Sequence, residues 1–315
     1  MSWQRILQND QAAEPLRQRI DELFAQQRNA WPALREGEAA LSHLQRKTLM
    51  VNGDSVVVQM NPARRGSTLA KTDAKAVAAR ACFLCPENTP AEERGVTFED
   101  LVLLPNPYPV LPLHCTIADR VHHPQRIGGR IETFLHLAYE IGPDLAALYN
   151  GPRCGASAPD HFHLQAARAD EIPLLHQLTN TGLDRPIVPH STFGRNMLIF
   201  RNANAADIAA DIDRAIDVLA EINSTSDEPM LNMVGHYHDD HYTAILFPRA
   251  AHRPACYFAT GADQLLISPA VLEMSGILVA TQADHFSRIE ADIARAIYEE
   301  VSIPTAHFKQ LAALV

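Results

Sequence analysis

A chain of 315 residues, 47% hydrophobic and 20% charged, can bury a sizeable core as one large domain or two closely packed ones. Its formal net charge of −10 argues against a general nucleic-acid binder, which needs a basic surface, but not against a small phosphorylated ligand held by a local cluster of Arg and Lys. No run of about 18 apolar residues occurs, so no membrane-spanning helix is expected. The mixed, charged N-terminus carries no apolar signal core, so the expected location is cytoplasmic, and the five cysteines are expected as thiols or metal ligands.

Residues 14–29 carry Leu16, Ile20, Leu23 and Phe24 on one helical stripe. Residues 49–60 read as two strands about an Asn52-Gly53-Asp54 turn. A polar loop follows, with Arg64, Arg65, Ser67, Thr68 and Lys71, and then Cys82-Phe83-Leu84-Cys85. Residues 100–104 and 114–118 are predicted strands around a proline-rich bend, and 130–141 is a predicted helix ended by Gly142-Pro143. Strands are predicted at 145–149 and 161–167, with a loop from Asn150 to Pro159 between them. The second half has predicted strands at 196–201, 229–235 and 242–248. A strongly amphipathic helix over 206–222 lies between the first two, and a final helix is predicted over 284–301. Strands joined by hairpins or by a single helix indicate an α+β fold with antiparallel sheet, divided here as residues 1–190 and a loosely echoing half at 191–315.

The chemistry concentrates in Tyr149 to Gln165, YNGPRCGASAPDHFHLQ. Along a strand, residues two apart share a face. His161, His163 and Gln165 would line one side, with Phe162 and Leu164 buried on the other. The preceding loop is rich in small residues, which let backbone approach a bulky anion. A neutral imidazole is a competent nucleophile toward phosphorus, and Gln165 and Ser157 are neutral donors for the charge on the non-bridging oxygens. Spacing alone fits a half-exposed strand of solvated histidines equally well. A His-x-His metal site would need a further His and a carboxylate, and no such set stands out.

Cys82 and Cys85 have the spacing of a zinc knuckle, and His122 or His123, with His161, would complete four ligands and leave a structural ion. The alternative is two ordinary buried cysteines. His236, His238 and His241 read as a hairpin turn in preference to a metal site. Arg249 and His252 follow a strong strand and either reach a phosphate or lie on the surface. Arg64, Ser67 and Lys71 either hold a phosphate chain or form a solvated basic loop.

The YNGPRCGASAPDHFHLQ segment resembles the active-site strand of the histidine-triad superfamily. The likeness is to its diadenosine tetraphosphate phosphorylase (ATP adenylyltransferase) and galactose-1-phosphate uridylyltransferase branch, which ends the motif in Gln, here Gln165. NPYPVLPLHCTIADRVHHPQ upstream, and MLNMVG, YTAILFPRAAHRP and LLISPAVLEMSGILVATQADHF downstream, extend it over roughly residues 55–300. The resemblance implies a histidine-triad-like α+β fold of two related half-repeats with antiparallel sheet and flanking helices. It implies His163 as the nucleophile that carries a nucleotidyl group, Gln165 on the phosphate of that intermediate, and Ser157 and Asn150 in the pocket. The uridylyltransferases' metal pattern maps onto Cys82, Cys85, His122 and His161. His122 is preferred to His123 because a His often stands two residues before a Pro here, and the Pro is Pro124.

The resulting expectation is a nucleotidyltransferase or phosphorylase acting on a dinucleoside polyphosphate or a nucleotide sugar, with phosphate or a sugar phosphate as acceptor. The alternatives are a hydrolase using the same intermediate and a catalytically silent nucleotide-binding protein. The base, the sugar and the oligomeric state, a homodimer included, are left open.

Overall fold

Strands that are apolar at every position need cover on both faces, and the architecture supplies it. The computed structural model describes residues 3–7, 14–51, 54–179, 186–225 and 227–315. Its strands are β1 (Gln45–Val51), β2 (Asp54–Met60), β3 (Val96–Phe98), β4 (Leu101–Pro105), β5 (Cys115–Asp119), β6 (Leu145–Asn150) and β7 (His163–Arg168) in the first half. The second half adds β8 (Ile187–Thr192), β9 (Arg195–Asn202), β10 (Leu231–His238), β11 (His241–Pro248) and β12 (Ile277–Ala280).

Nine of these form one antiparallel sheet in the order β3-β4-β5-β7-β6-β10-β11-β9-β8. Two units of one topology lie within it. Each is a hairpin, a helix and a second hairpin: β4-β5, helix Ile131–Ile141, β6-β7, and then β8-β9, helix Ala205–Ile222, β10-β11. Within each unit the order is first-second-fourth-third, and the units meet where Asn150 of β6 pairs with Asn232 of β10. The sheet therefore runs unbroken across residue 190.

One face of the sheet packs on helices Leu16–Ala30, Ile131–Ile141 and Ala205–Ile222; the predicted stripe Leu16, Ile20, Leu23 and Phe24 is buried there. The other face packs on helix Ala291–Val301 and a small sheet in which β12 pairs parallel to β2. That double cover is why β4 and β6 are buried at every position. The β10-β11 hairpin turns through Asp239 and Asp240, both at positive φ, the backbone of a tight two-residue hairpin turn.

Several segments differ from their sequence reading. The basic loop after β2 is folded into helical turns at Pro62–Arg64 and Arg65–Thr68, because Pro62 sits at a first helical position, where its fixed φ suits a helix start. The helix predicted over 284–301 is two helices, Ala283–Arg288 and Ala291–Val301. They are broken where Ile289 turns extended and buries its side chain, and a further helix, Thr305–Leu314, follows. The 161–167 strand begins at His163. The tip of the β1-β2 turn, Asn52-Gly53, lies outside the described residues.

Candidate active site

Because β7 alternates, Leu164 and Ala166 point into the helical core while His163 and Gln165 face the opposite side. Thr116 on β5 stands beside Gln165, and Leu104 on β4 beside Thr116. Together they floor a cleft of about 970 Å³, near the upper end for small-molecule sites. His163, Gln165, Ser157, Asn150, Arg64, Ser67, Lys71 and His252 all line it. These predicted residues come from three stretches of the chain, 64–71, 150–165 and 252.

His163 is held from three directions. Its backbone N–H donates to Gln125 Oε1 at 2.7 Å, and its carbonyl accepts from Gln125 Nε2 at 3.0 Å. Gln125 also donates to the Asn150 carbonyl at 2.9 Å, clamping the ends of β6 and β7 together. The His163 ring places Nδ1 2.9 Å from the His161 carbonyl. A carbonyl only accepts, so Nδ1 carries the proton and Nε2 keeps its lone pair. Burial, foremost, lowers the His163 pKa to about 4, which keeps the ring neutral at neutral pH.

Gln165 is oriented in the same way. The Val110 N–H donates to His114 Nδ1 at 3.2 Å, so the proton of His114 is on Nε2, which donates to Gln165 Oε1 at 2.8 Å. Asn150 Oδ1 accepts from Asn232 Nδ2 and from the Val271 N–H, both at 2.8 Å, and its amide NH2 has no partner among the described residues. The small-residue loop closes over these groups. Gly155 has φ +116°, and a Cβ there would lie 2.5 Å from the Ala270 Cβ, so only glycine fits.

The cationic wall forms around Arg64, which donates to the Tyr108 carbonyl at 2.9 Å and to Ser67 Oγ at 3.0 Å. Arg253, not singled out in the sequence, donates to Ser268 Oγ and to the carbonyls of Thr68 and Ala70. Arg249, expected to reach a phosphate or the surface, does neither. It is buried, absent from the cleft wall, and donates to Asn232 Oδ1 and the carbonyls of Val301, Ala251, His252 and Pro269. Its role is to tie β11 to distant segments.

Cys82, Cys85, His122 and His161 come together with their ligand atoms all within 4.8 Å of one another. Cys82 Sγ is 3.3 Å from His161 Nδ1, and Cys85 Sγ is 3.3 Å from His122 Nδ1. A tetrahedral ion with Zn–S near 2.3 Å and Zn–N near 2.0 Å would separate its ligands by roughly 3.5 Å. The second nitrogen of His161 is fixed as a metal-binding imidazole requires, and that of His122 lies near a carboxylate without a hydrogen bond. His161 Nε2 meets the Asp119 carbonyl at 2.8 Å, and His122 Nε2 lies 3.7 Å from Asp160. The cluster could therefore hold a metal ion. His123 pairs instead with Asp119 at 3.0 Å, so His122 is the cluster member. His161 precedes β7 and does not share the cleft face with His163, contrary to the strand reading. His236 meets the Pro143 carbonyl on a solvated hairpin, and neither it nor His238 nor His241 belongs to the cluster.

Three residues of the site, Gln125, His114 and Glu93, are assigned no role by the sequence motifs. The last lines the cleft and is only 7% exposed, and its carboxylate receives no hydrogen bond from the described residues. Burial raises its pKa to about 7. A His beside a proline-rich bend was the one available signal for His114.

Residues 23–168 match the model of a domain of unknown function (DUF4922), and residues 191–315 match the GDPGP1-like C-terminal domain. No curated protein matches in sequence. Among solved structures, yeast Ap4A phosphorylase Apa2 is similar at TM-score 0.63 and 16% identity, over 92% of this chain and 98% of that one. Its complex with AMP gives TM-score 0.62 and 15% identity, over 92% and 97%. Its complex with Ap4A gives 0.60 and 16%, over 92% and 98%. At such identities the likeness is one of fold. The chain thus shares the α+β fold of yeast Ap4A phosphorylase Apa2, and its residues 191–315 are similar to the GDPGP1-like C-terminal domain.

Proposed function

We propose that this protein is a nucleotidyl-transferring phosphorylase acting on a dinucleoside polyphosphate or a nucleotide sugar through a covalent nucleotidyl-His163. The observation that carries the reading is the His163 ring, whose proton is committed to the His161 carbonyl while the ring lines the cleft beside Gln165. In the first step Nε2 attacks the α-phosphorus. The N–P bond forms, the bond from phosphorus to the bridging oxygen breaks, and its electron pair leaves with the departing nucleoside polyphosphate or sugar phosphate. Phosphate or a sugar phosphate then attacks phosphorus, and the N–P bond breaks. Gln165, Ser157 and the Asn150 amide supply donors to the non-bridging oxygens, each such donor being worth about 10²–10³ in rate. Arg64, Ser67 and Lys71, with Arg253 and His252, suit the remaining phosphates. The Ap4A and AMP complexes of yeast Apa2 support a nucleotide substrate.

Two thiolates and two imidazoles favour zinc among the common ions. Cys82, Cys85, His122 and His161 would hold it, and four protein ligands leave no open position. Its contribution is structural: it would anchor the loop that carries the His161 carbonyl.

The test is intact mass after incubation with dinucleoside polyphosphates and nucleotide sugars, with no acceptor present. An adduct of one nucleoside monophosphate is expected on the wild type and none on His163→Gly, whose turnover added imidazole should partly restore. Full turnover by His163→Gly would refute the reading. A nucleoside diphosphate product should require phosphate; its absence, with a monophosphate released, would make the protein a hydrolase instead. Metal analysis should find about one zinc per chain.

A further inference from the structure

Resting on the nucleotidyl-transfer reading above, we propose that His114 is a positioning residue for Gln165: it fixes the amide so that the NH2, not the carbonyl, faces the reacting phosphate. A glutamine amide has two orientations of nearly equal shape. One offers donors to the phosphate oxygens, and the other presents a carbonyl dipole that repels them. Something must choose, and a free amide in a wide cleft would sample both.

The choice is made by a directional chain. The Val110 N–H can only donate, so His114 Nδ1 accepts at 3.2 Å. The His114 proton is therefore on Nε2, 2.8 Å from the Gln165 oxygen. A flipped amide would set two N–H donors against each other. His114 is only 1% exposed, so no water competes for either nitrogen. Its ring also lines the cleft, as does Arg64, whose charge further disfavours a second proton on it. The polarity of one backbone N–H in the proline-rich bend thus sets the polarity of the donor at the phosphate.

A histidine that merely ties the bend would matter through Nδ1; a positioning histidine matters through Nε2. Two substitutions separate them. His114→Asn keeps an acceptor near the Nδ1 position and loses the Nε2 donor. His114→Gln keeps a donor near the Nε2 position and loses the acceptor. Positioning predicts that kcat falls about 10- to 100-fold in His114→Asn with KM little changed, and stays within about 3-fold in His114→Gln. A bend-tying role predicts the reverse order and would overturn the proposal. In a Gln165→Ala background, His114→Asn should cost almost nothing more; an undiminished second loss would also overturn it.

A readout that needs no turnover separates failure here from failure of the transfer reading. The side-chain NH2 resonance of Gln165, assigned by its loss in Gln165→Ala, should be retained in His114→Gln and should shift or broaden in His114→Asn. If the wild type forms no adduct, the transfer reading falls, and this resonance still decides the orientation. An unmoved resonance in His114→Asn refutes it.

Discussion

Gln125→Met is the sharpest probe of how the fold holds the nucleophile. The two side chains are similar in size, so packing is nearly conserved, while three buried backbone groups lose their partner: the His163 N–H, the His163 carbonyl and the Asn150 carbonyl. Gln125 is 1% exposed, so water cannot readily replace it. An unpartnered buried group costs about 1–3 kcal/mol. Three together cost about 3–9 kcal/mol, a large fraction of the roughly 5–15 kcal/mol that typically holds a domain. At about 2–4 °C per kcal/mol, the melting temperature should drop by roughly 6 °C or more. The strand ends would also spread, and a displacement of about 1 Å at the nucleophile can cost about 10² in rate. Calorimetry and single-turnover adduct formation are the assays. A variant melting within about 2 °C of wild type and labelling at the wild-type rate would refute the clamp.

Burial, foremost, with Arg64 beside it, lowers the His114 pKa from 6.5 to about 4. The unfolded chain then binds a proton that the folded chain refuses, so stability is full above about pH 6.5 and should decline by about 3 kcal/mol as pH falls to about 4. Denaturant titrations across that range should show a shallower slope in His114→Gln. Glu93 has the opposite sign: burial raises its pKa from 4.5 to about 7, so it costs nothing below about pH 4.5 and about 3 kcal/mol above about pH 7. Glu93→Gln should therefore stabilise the free protein at pH 8 and leave it unchanged at pH 4; equal stability at pH 8 would contradict the burial argument. Gly155→Ala should lower adduct formation at least 10-fold, since a left-handed backbone and a 2.5 Å approach to Ala270 both oppose a Cβ; unchanged labelling would show that the loop yields.

Local pattern made most strands legible. LAALY and DLVLL read as strands, and the structure supplies the reason for their uninterrupted apolarity in cover on both faces. Small-residue loop, imidazole spacing and a CxxC pointed to the cleft and the cluster because they are short and contiguous. What escaped was set by distant partners. Arg249 is a phosphate candidate only until Val301 and Pro269, far along the chain, bring carbonyls to it. Gln125 carries no local mark at all, and His114 only its place beside the proline-rich bend: each acts through a backbone group whose position depends on strand pairing. The broken terminal helix was hidden because Ile289 fits a helical stripe as well as it fits the core pocket it fills.

The late start of β7 is what lets two histidines, two residues apart, do different work. Had the strand begun at His161, both rings would have stood on one face and competed for the same anion. Instead the Phe162 N–H bonds the His123 carbonyl at 2.6 Å, outside the β5-β7 ladder, and His161 turns toward the two sulfurs. Its ring then belongs to the Cys/His cluster while its carbonyl takes the Nδ1 proton of His163. Arg80 reinforces the link, donating to Asp160 and to the Ser157 carbonyl, so the segment beside the cluster and the small-residue loop move together. An ion at the cluster would therefore act on the nucleophile through backbone geometry alone. It would fix where the acceptor for Nδ1 sits, and so which nitrogen of His163 is left to react.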